Sequence, residues 1–337
     1  MIPWTTATQA IAAARTRRAV ARRLADLDVT PNQTLRDEIE EWAAAHRDRL
    51  AFLAVDGSER LTYGDFAGQA ARWARWTILH GVGRGEPVVV LMANRPERIA
   101  AWTGIATAGA VAALLDPGLD GPTLAAAIAT VAARHLVVDA TLLPRFETAA
   151  PHLTAMAAVW VHGPHPMAYP RLDEALADLS PERLRPADRR PIAARDDALW
   201  LASPAHPPRR LDHHGLVRRM HALAAACGAT RDDRLLLPDL AVGDPAAATL
   251  AGVTATVGGV CLLRPLAAST ANTDARPTLV AYDDRTAETL AAGTTPRLVL
   301  AVGAGLDVGP PSARRLVLCD DTLTTAAGAR LWTGAGR

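Results

Sequence analysis

The residues best placed to do chemistry lie in one stretch, Ala198 to Leu216 (ALWLASPAHPPRRLDHHGL). Its pattern predicts an apolar strand over 198–202, a polar turn beginning at Ser203, and a helix opening near Gly215. Strand, turn and helix in that order are a usual geometry for holding a phosphate, because turn amides and a helix N-terminus both present positive ends. Ser203, Arg209, Arg210 and His213 are the candidate ligating side chains. The turn itself is poor in what the task needs. It has no glycine between Ser203 and His213, and Pro204, Pro207 and Pro208 each remove an N–H donor.

The chain contains no lysine, so all 36 of its basic residues are arginine, and Schiff-base chemistry, a catalytic ammonium and a phosphate-binding lysine are excluded. His206, His213, His214 and His221 fall close together, with His214 and His221 seven apart. Zinc sites use tighter sets such as i, i+4 pairs, and neither HExxH nor CxxC occurs, so these histidines read as exposed or capping groups and no metal is expected. Cys227, Cys261 and Cys319 are widely separated and odd in number. They read as reduced, buried thiols of a cytoplasmic protein, at most peripheral to a membrane. With a formal net charge of +1 and interspersed signs, the surface offers no nucleic-acid footprint. The longest uncharged apolar run, Ile99 to Leu115, is interrupted by Gly104 and Gly109 and reads as a helix followed by a buried strand, not a transmembrane span.

The elements that must position these residues follow an α/β order. A basic helical arm occupies 1–33. Thr34 caps a helix, with Asp37 three residues on and Leu35, Ile39 and Trp42 at helical spacing. A strand at 50–55, a turn at Asp56–Gly57 and a strand at 61–63 lead into a helix over 64–80. Strand 87–92, an Asn94-capped helix 96–108, strand 110–115, helix 122–134 and strand 135–139 imply a doubly wound, mostly parallel sheet. Strand 157–162, helix 172–179 and a Pro/Arg-rich connector, 180–197, end a first lobe over 34–180. A second lobe, 198–320, carries helix 215–227, strand 234–237, helix 245–251 and strand 260–264. Strand 278–282, helix 284–292 and strands 297–302 and 315–319 complete it. The tail, 321–337, is weakly patterned and is assigned no element.

The block Leu61 to Asp116, with MANRPE, a W-x-G helix and GAVAALLD, resembles adenylate-forming (AMP-binding) enzymes, and looks most like the fatty acid transport protein or very-long-chain acyl-CoA synthetase branch. The resemblance implies a fold of two doubly wound lobes, as in the N-terminal domain of acyl-CoA synthetases. It runs from Thr34 to about Cys319. In that family a Gly/Ser/Thr-rich loop ending in lysine wraps the phosphates of ATP. Here Arg209 stands near the lysine's place and His213 in that of a motif histidine, and the loop between is shortened and lacks glycine. Leu236 to Leu240 resembles a second motif, with Leu240 and Ala241 where an aromatic residue and a histidine are expected. Arg297 to Leu306 resembles the strand and turn beside the adenine, which makes Gly303, Ala304 and Gly305 the nucleotide-side turn. The glutamate of a magnesium-binding motif has no counterpart around Leu318 to Thr322. The resemblance further implies that the C-terminal lid domain is absent.

Adenylation requires charge neutralisation on a polyphosphate, and losing one preorganised donor typically costs about 2.7–4 kcal/mol of transition-state stabilisation. The expected reading is therefore a pseudoenzyme with the fold of an ATP-dependent acid–thiol ligase. Its role would be binding an acyl chain over 217–263, or a protein partner on the surface the lid would cover. The alternative is an active long-chain fatty acid–CoA ligase-like enzyme of altered chemistry, with a lid supplied in trans; ATP and magnesium are its implied cofactors.

Overall fold

The computed structural model describes residues 14–15, 18–27, 29–154, 158–166, 169–239, 245–264, 276–283, 286, 295–303, 313–319, 322–325 and 330–333. Helix α1 (Leu35–His46) opens on a capping box in which the Thr34 side chain accepts from the Asp37 N–H and Asp37 returns the contact to the Thr34 amide. Strands β1 (Leu50–Ala54) and β2 (Arg60–Thr62) form the hairpin, and Thr62 with Asp65 repeats the box at α2 (Tyr63–Leu79). There follow β3 (Pro87–Leu91), α3 (Pro96–Thr107), β4 (Val111–Leu114), α4 (Gly121–Val131), β5 (His135–Asp139), α5 (Leu143–Ala149), β6 (Ala158–His162) and α6 (Leu172–Ala177). The chain continues through β7 (Asp197–Leu201), β8 (Arg209–Asp212), α7 (His213–Cys227), β9 (Arg234–Pro238), α8 (Pro245–Val253) and β10 (Val260–Arg264). Strands β11 (Leu279–Tyr282), β12 (Leu298–Val302), β13 (Arg314–Cys319), β14 (Thr322–Thr325) and β15 (Arg330–Thr333) close it.

Among the described residues these strands make two sheets. One has six strands in the order β6-β5-β3-β4-β7-β8, the other nine in the order β15-β14-β13-β12-β11-β9-β10-β1-β2. Parallel pairing fills both interiors, and antiparallel hairpins form the margins at β7/β8, β1/β2 and β13/β14/β15. This is the expected mostly parallel α/β architecture. The sheets do not follow the sequence division near 180–197, however. β7 and β8 join the first sheet beside β4, and β1 joins the second with Phe52 beside Cys261.

The alternation of side chains along the central strands explains the layering. Val88 and Val90 of β3 enter the core shared between the sheets, with Trp42, Trp73, Trp102, Leu199 and Leu263, whereas Val89 and Leu91 face a second core under α4 and α5. Leu235 and Leu237 of β9 join the shared core, and Leu236 faces the opposite side. Both sheets thus bury one face against the same helices, and that common core makes two lobes one packed body.

Three sequence expectations are corrected here. Asn94 is not the cap of α3: Arg95 holds that position in extended conformation without a side-chain cap bond, and the Asn94 amide donates across to the carbonyls of Leu237 (2.9 Å) and Arg264 (3.4 Å). The tail assigned no element contains β14 and β15, which form because β13 offers a free ladder edge. Arg209 to Asp212, read as turn, is strand β8, and the helix opens at His213, two residues before Gly215. The expected helix 284–292 lies outside the described residues except for Thr286.

Close approach of α2 and α3 depends on Gly104. A Cβ there would lie 2.4 Å from Trp73 Cβ and 2.6 Å from the Ala70 carbonyl oxygen, neither of which can swing away. Gly104→Ala is expected to cost about 1–3 kcal/mol by overpacking, read as a lowered melting temperature; an unchanged melt would mean the helices can slide apart without penalty.

Candidate functional site

The carboxyl ends of β3, β4 and β7 converge on those of β9 and β10. The order β5-β3-β4 makes β3 the strand on either side of which the chain turns, so its carboxyl end is a topological switch point, the usual ligand crevice of open α/β sheets. The segment after β3, Asn94 to Arg98, fills that crevice with charge. Arg95 lies 2.5 Å from Glu59 and 2.9 Å from Asp139 at the end of β5. Glu97, buried, accepts from the Trp73 indole N–H and lies 3.6 Å from His162 at the end of β6. Burial alone would raise the Glu97 carboxyl, but His162, the indole N–H and Arg95 together hold it below its ordinary value. Arg98 and Asp239, both buried, approach to 3.6 Å. The sequence marks Arg95 and Glu97 only within MANRPE and assigns a role to none of Glu59, Arg95, Glu97, Arg98, Asp139, His162 or Asp239. The one signal available was three charges in Arg95-Pro96-Glu97-Arg98 directly after an apolar strand.

Between Arg98, Asp239 and an apolar lining of Ile99, Trp102, Leu114, Leu201, Leu237 and Ala251 lies a cavity of about 30 Å³. That is room for only a few water-sized groups among the described residues.

The candidate phosphate turn hangs from the β7–β8 hairpin, in which Leu201 pairs with Arg209 and Trp200 with Arg210. Ser203 sits in the turn and its hydroxyl accepts from the Ala205 amide at 3.4 Å. Arg209 is on strand β8. Arg210 is drawn back along the hairpin, its guanidinium 4.5 Å from the Trp200 ring centre and 3.7 Å from Asp197. His213 is fully buried at the first position of α7. Burial pushes its imidazole down to about 4, Arg36 adds to the depression, and Asp196, Asp212 and Asp37 oppose it. It is neutral at pH 7. Neither ring nitrogen has a hydrogen-bond partner among the described residues.

The opening of α7 is occupied by the protein itself. The His213 amide donates to the Asp196 carbonyl (3.2 Å), the His214 amide to the Ala194 carbonyl (2.9 Å), and the Gly215 amide to Asp212 Oδ1 (2.5 Å). The other Asp212 oxygen takes Arg195 at 3.1 Å. A Cβ on Gly215 would sit 2.7 Å from Asp212 Oδ1, so the glycine serves this cap. Asp212 pairs with Asp197 at the start of β7, so this opening lies at the other end of the hairpin from the Ser203–Pro208 turn, and the expected strand–turn–helix cradle does not form because β8 carries the chain back between turn and helix.

Gly303 follows β12 with φ +104° and donates its amide to the Leu318 carbonyl at 2.8 Å; its companions Ala304 and Gly305 lie outside the described residues. His221 reaches from α7 to Glu38 of α1 at 2.7 Å, and His206 is exposed on the hairpin turn. Among the described residues no three His, Cys, Asp or Glu side chains are grouped to hold a metal ion, and no helix is long and apolar enough to cross a membrane. Cys227 and Cys261 are buried free thiols.

Residues 39–202 match the AMP-binding enzyme family. The chain is 32% identical over 166 residues to a 3-hydroxybenzoate–CoA ligase of Aromatoleum sp. (strain CIB), a match covering 48% of this chain and 31% of that protein. It is 28% identical over 218 residues to human long-chain fatty acid transport protein 5, covering 60% and 31% respectively. The chain thus spans about a third of the length of these curated relatives. Among solved structures, the N-terminal domain of FACL13 from Mycobacterium tuberculosis superposes with a TM-score of 0.71 at 18% identity, covering 88% of this chain and 79% of that one. The anthranilate–CoA ligase AuaEII, solved with anthranoyl-AMP, gives 0.70 at 18% identity, covering 84% and 57%. Residues 39–202 are therefore similar to the AMP-binding enzyme family, in a chain with the α/β fold found in the N-terminal domain of acyl-CoA ligases.

Proposed function

We propose that this chain is an adenylate-forming scaffold that does not adenylate, kept for binding. The observation that carries the reading is the Ser203–Pro208 turn at the carboxyl end of β7, which has no glycine and loses three N–H donors to proline. Family chemistry needs donors aimed at a polyphosphate. Here Ser203, Arg209, Arg210 and His213 would have to supply that grip without a lysine, without glycine amides and with a buried neutral imidazole. The retained role is docking of a partner chain or of an acyl-type ligand, as suggested by relatives named as CoA ligases and fatty acid transport proteins. The narrow crevice beside Arg98 favours the partner over the acyl chain at that place.

The test is pyrophosphate–ATP exchange with magnesium, using 3-hydroxybenzoate and a long-chain fatty acid in turn, together with calorimetric titration of ATP. The expected result is exchange at the blank rate and no saturable heat. Exchange above blank that is lost in Arg209→Ala would establish the alternative, an active acid–thiol ligase using ATP and magnesium with Arg209 on the phosphates and a lid from another chain.

A further inference from the structure

The basic arm lies ahead of the segment that matches the enzyme family, and its residues 14–15 and 18–25 are helical. It is fixed to the body of the protein by one side. Val20 is fully buried in the shared core, Leu24 packs against that core, and the Arg23 guanidinium donates to the Ala225 carbonyl near the end of α7 at 3.5 Å. Gly228 makes room for this contact, since a Cβ on it would lie 2.6 Å from Arg23 Nη1.

Val20 and Leu24, four residues apart, share one helical face, and that face is spent on the body. Arg15, Arg18 and Arg22 follow the spacing i, i+3, i+7 and fall on the opposite face. All three are exposed, and among the described residues their guanidiniums meet no partner. Residues 1–25 hold five arginines, at 15, 17, 18, 22 and 23, and no Asp or Glu. Asp26 and Asp28 follow, and Asp26 is exposed and makes no ion pair with Arg22. Beyond residue 28 the chain carries 31 arginines against 33 carboxylate side chains, so its near-zero net charge is that of a basic arm on a slightly acidic body.

We propose that the outer face of the arm, Arg15, Arg18 and Arg22, docks the protein on an anionic membrane surface, with the arm lying flat along it. The row is complementary in charge to a leaflet of anionic headgroups, where each arginine strengthens attachment by about fivefold. Because Val20 and Leu24 face inward, this part of the arm contributes charge and no insertion, and salt screens the attachment. What adjoins the row favours a membrane over a nucleic acid. Residues 1–14 have no charged side chain and include Ile2, Trp4 and Ile11, residue types that settle at a headgroup boundary and have no use in a phosphate-backbone contact. The assignment rests on the arm alone and is independent of whether the chain adenylates anything.

The test is sedimentation of the full chain with vesicles of phosphatidylcholine containing one-third phosphatidylglycerol, beside vesicles of phosphatidylcholine alone, at about 0.05 M and about 0.5 M NaCl. The expected result is co-sedimentation with the anionic vesicles at low salt only, and none with the neutral ones. The triple variant Arg15→Gln, Arg18→Gln, Arg22→Gln is expected to weaken partitioning about a hundredfold at an unchanged melting temperature. A control that removes the same charge from other exposed positions, Arg60→Gln, Arg185→Gln, Arg231→Gln, is expected to partition as the parent does. No binding of the parent to anionic vesicles overturns the proposal, as does equal loss in the two triple variants. Binding of the parent to a DNA duplex at low salt without binding to vesicles overturns it as well, and gives the row to nucleic acid.

Discussion

Trp73→Ala is expected to cost about 3–5 kcal/mol, the range for removing a large aromatic side chain from a packed core, and to leave the chain largely unfolded if its stability is ordinary for a domain. Trp73 is fully buried on α2, meets Trp76 edge-on at 5.9 Å and stacks over His162 at 6.2 Å. Its indole N–H also donates to Glu97 Oε1 at 2.5 Å, so the residue supports both the core between the sheets and the buried carboxylate at the switch point. The alanine variant therefore loses packing and strands an acceptor together. Trp73→Phe separates the two, because it keeps most of the volume and removes only the donor, for an expected cost of about 1–3 kcal/mol. Urea denaturation with a shared m-value reads both effects. A neutral Trp73→Phe would show that His162 and Arg95 satisfy Glu97 unaided.

The second large effect is acid lability from His213. Its folded value of about 4 lies below the ordinary 6.5, so the folded state refuses a proton that the unfolded chain accepts. Stability is at its full value above pH 6.5, falls by up to about 1.4 kcal/mol per pH unit as pH drops from 6.5 toward 4, and levels off below, for a total near 3 kcal/mol. His135 and His214 are also depressed, burial being the first cause in each, and add to the slope in the same direction. The difference between the parent chain and His213→Leu isolates the one residue. Measured from pH 7 to pH 4.5, the unfolding free energy of the parent should fall relative to that of the leucine variant by about 2 kcal/mol, because the variant lacks this proton-linked loss. Parallel curves would mean that His213 takes up a proton in the folded state as readily as in the unfolded one.

Much of the local structure was legible before any contact was known. The capping box at Thr34/Asp37 with its helix, the helix that follows the strand at 61–63, and the strands at Pro87–Leu91, His135–Asp139 and Val260–Arg264 all followed from spacing and apolar runs. Such signals are complete within a few residues, because a cap or a helical face needs only its own neighbours. The poverty of the Ser203–Pro208 turn was equally plain, since proline removes an amide in any tertiary setting.

Partnership was not legible. Nothing near Phe52 says that it lies beside Cys261, or that the hairpin Asp197–Asp212 completes the first sheet and not the second. Asn94 looked like a helix cap because asparagine usually is one there, but the carbonyls of Leu237 and Arg264, brought close by the packing of the two sheets, are the acceptors it meets. The same holds at α7. The residues of a phosphate turn can be read from the chain, but that strand β8 intervenes and carries the helix opening to the far end of the hairpin, onto Ala194 and Asp196, cannot. Sequence by itself determined the elements and the chemical poverty of the loop, both local properties of the backbone and its side chains. Only the tertiary structure decided which donors remain unspent, because each hydrogen bond across the core draws on an acceptor far along the chain.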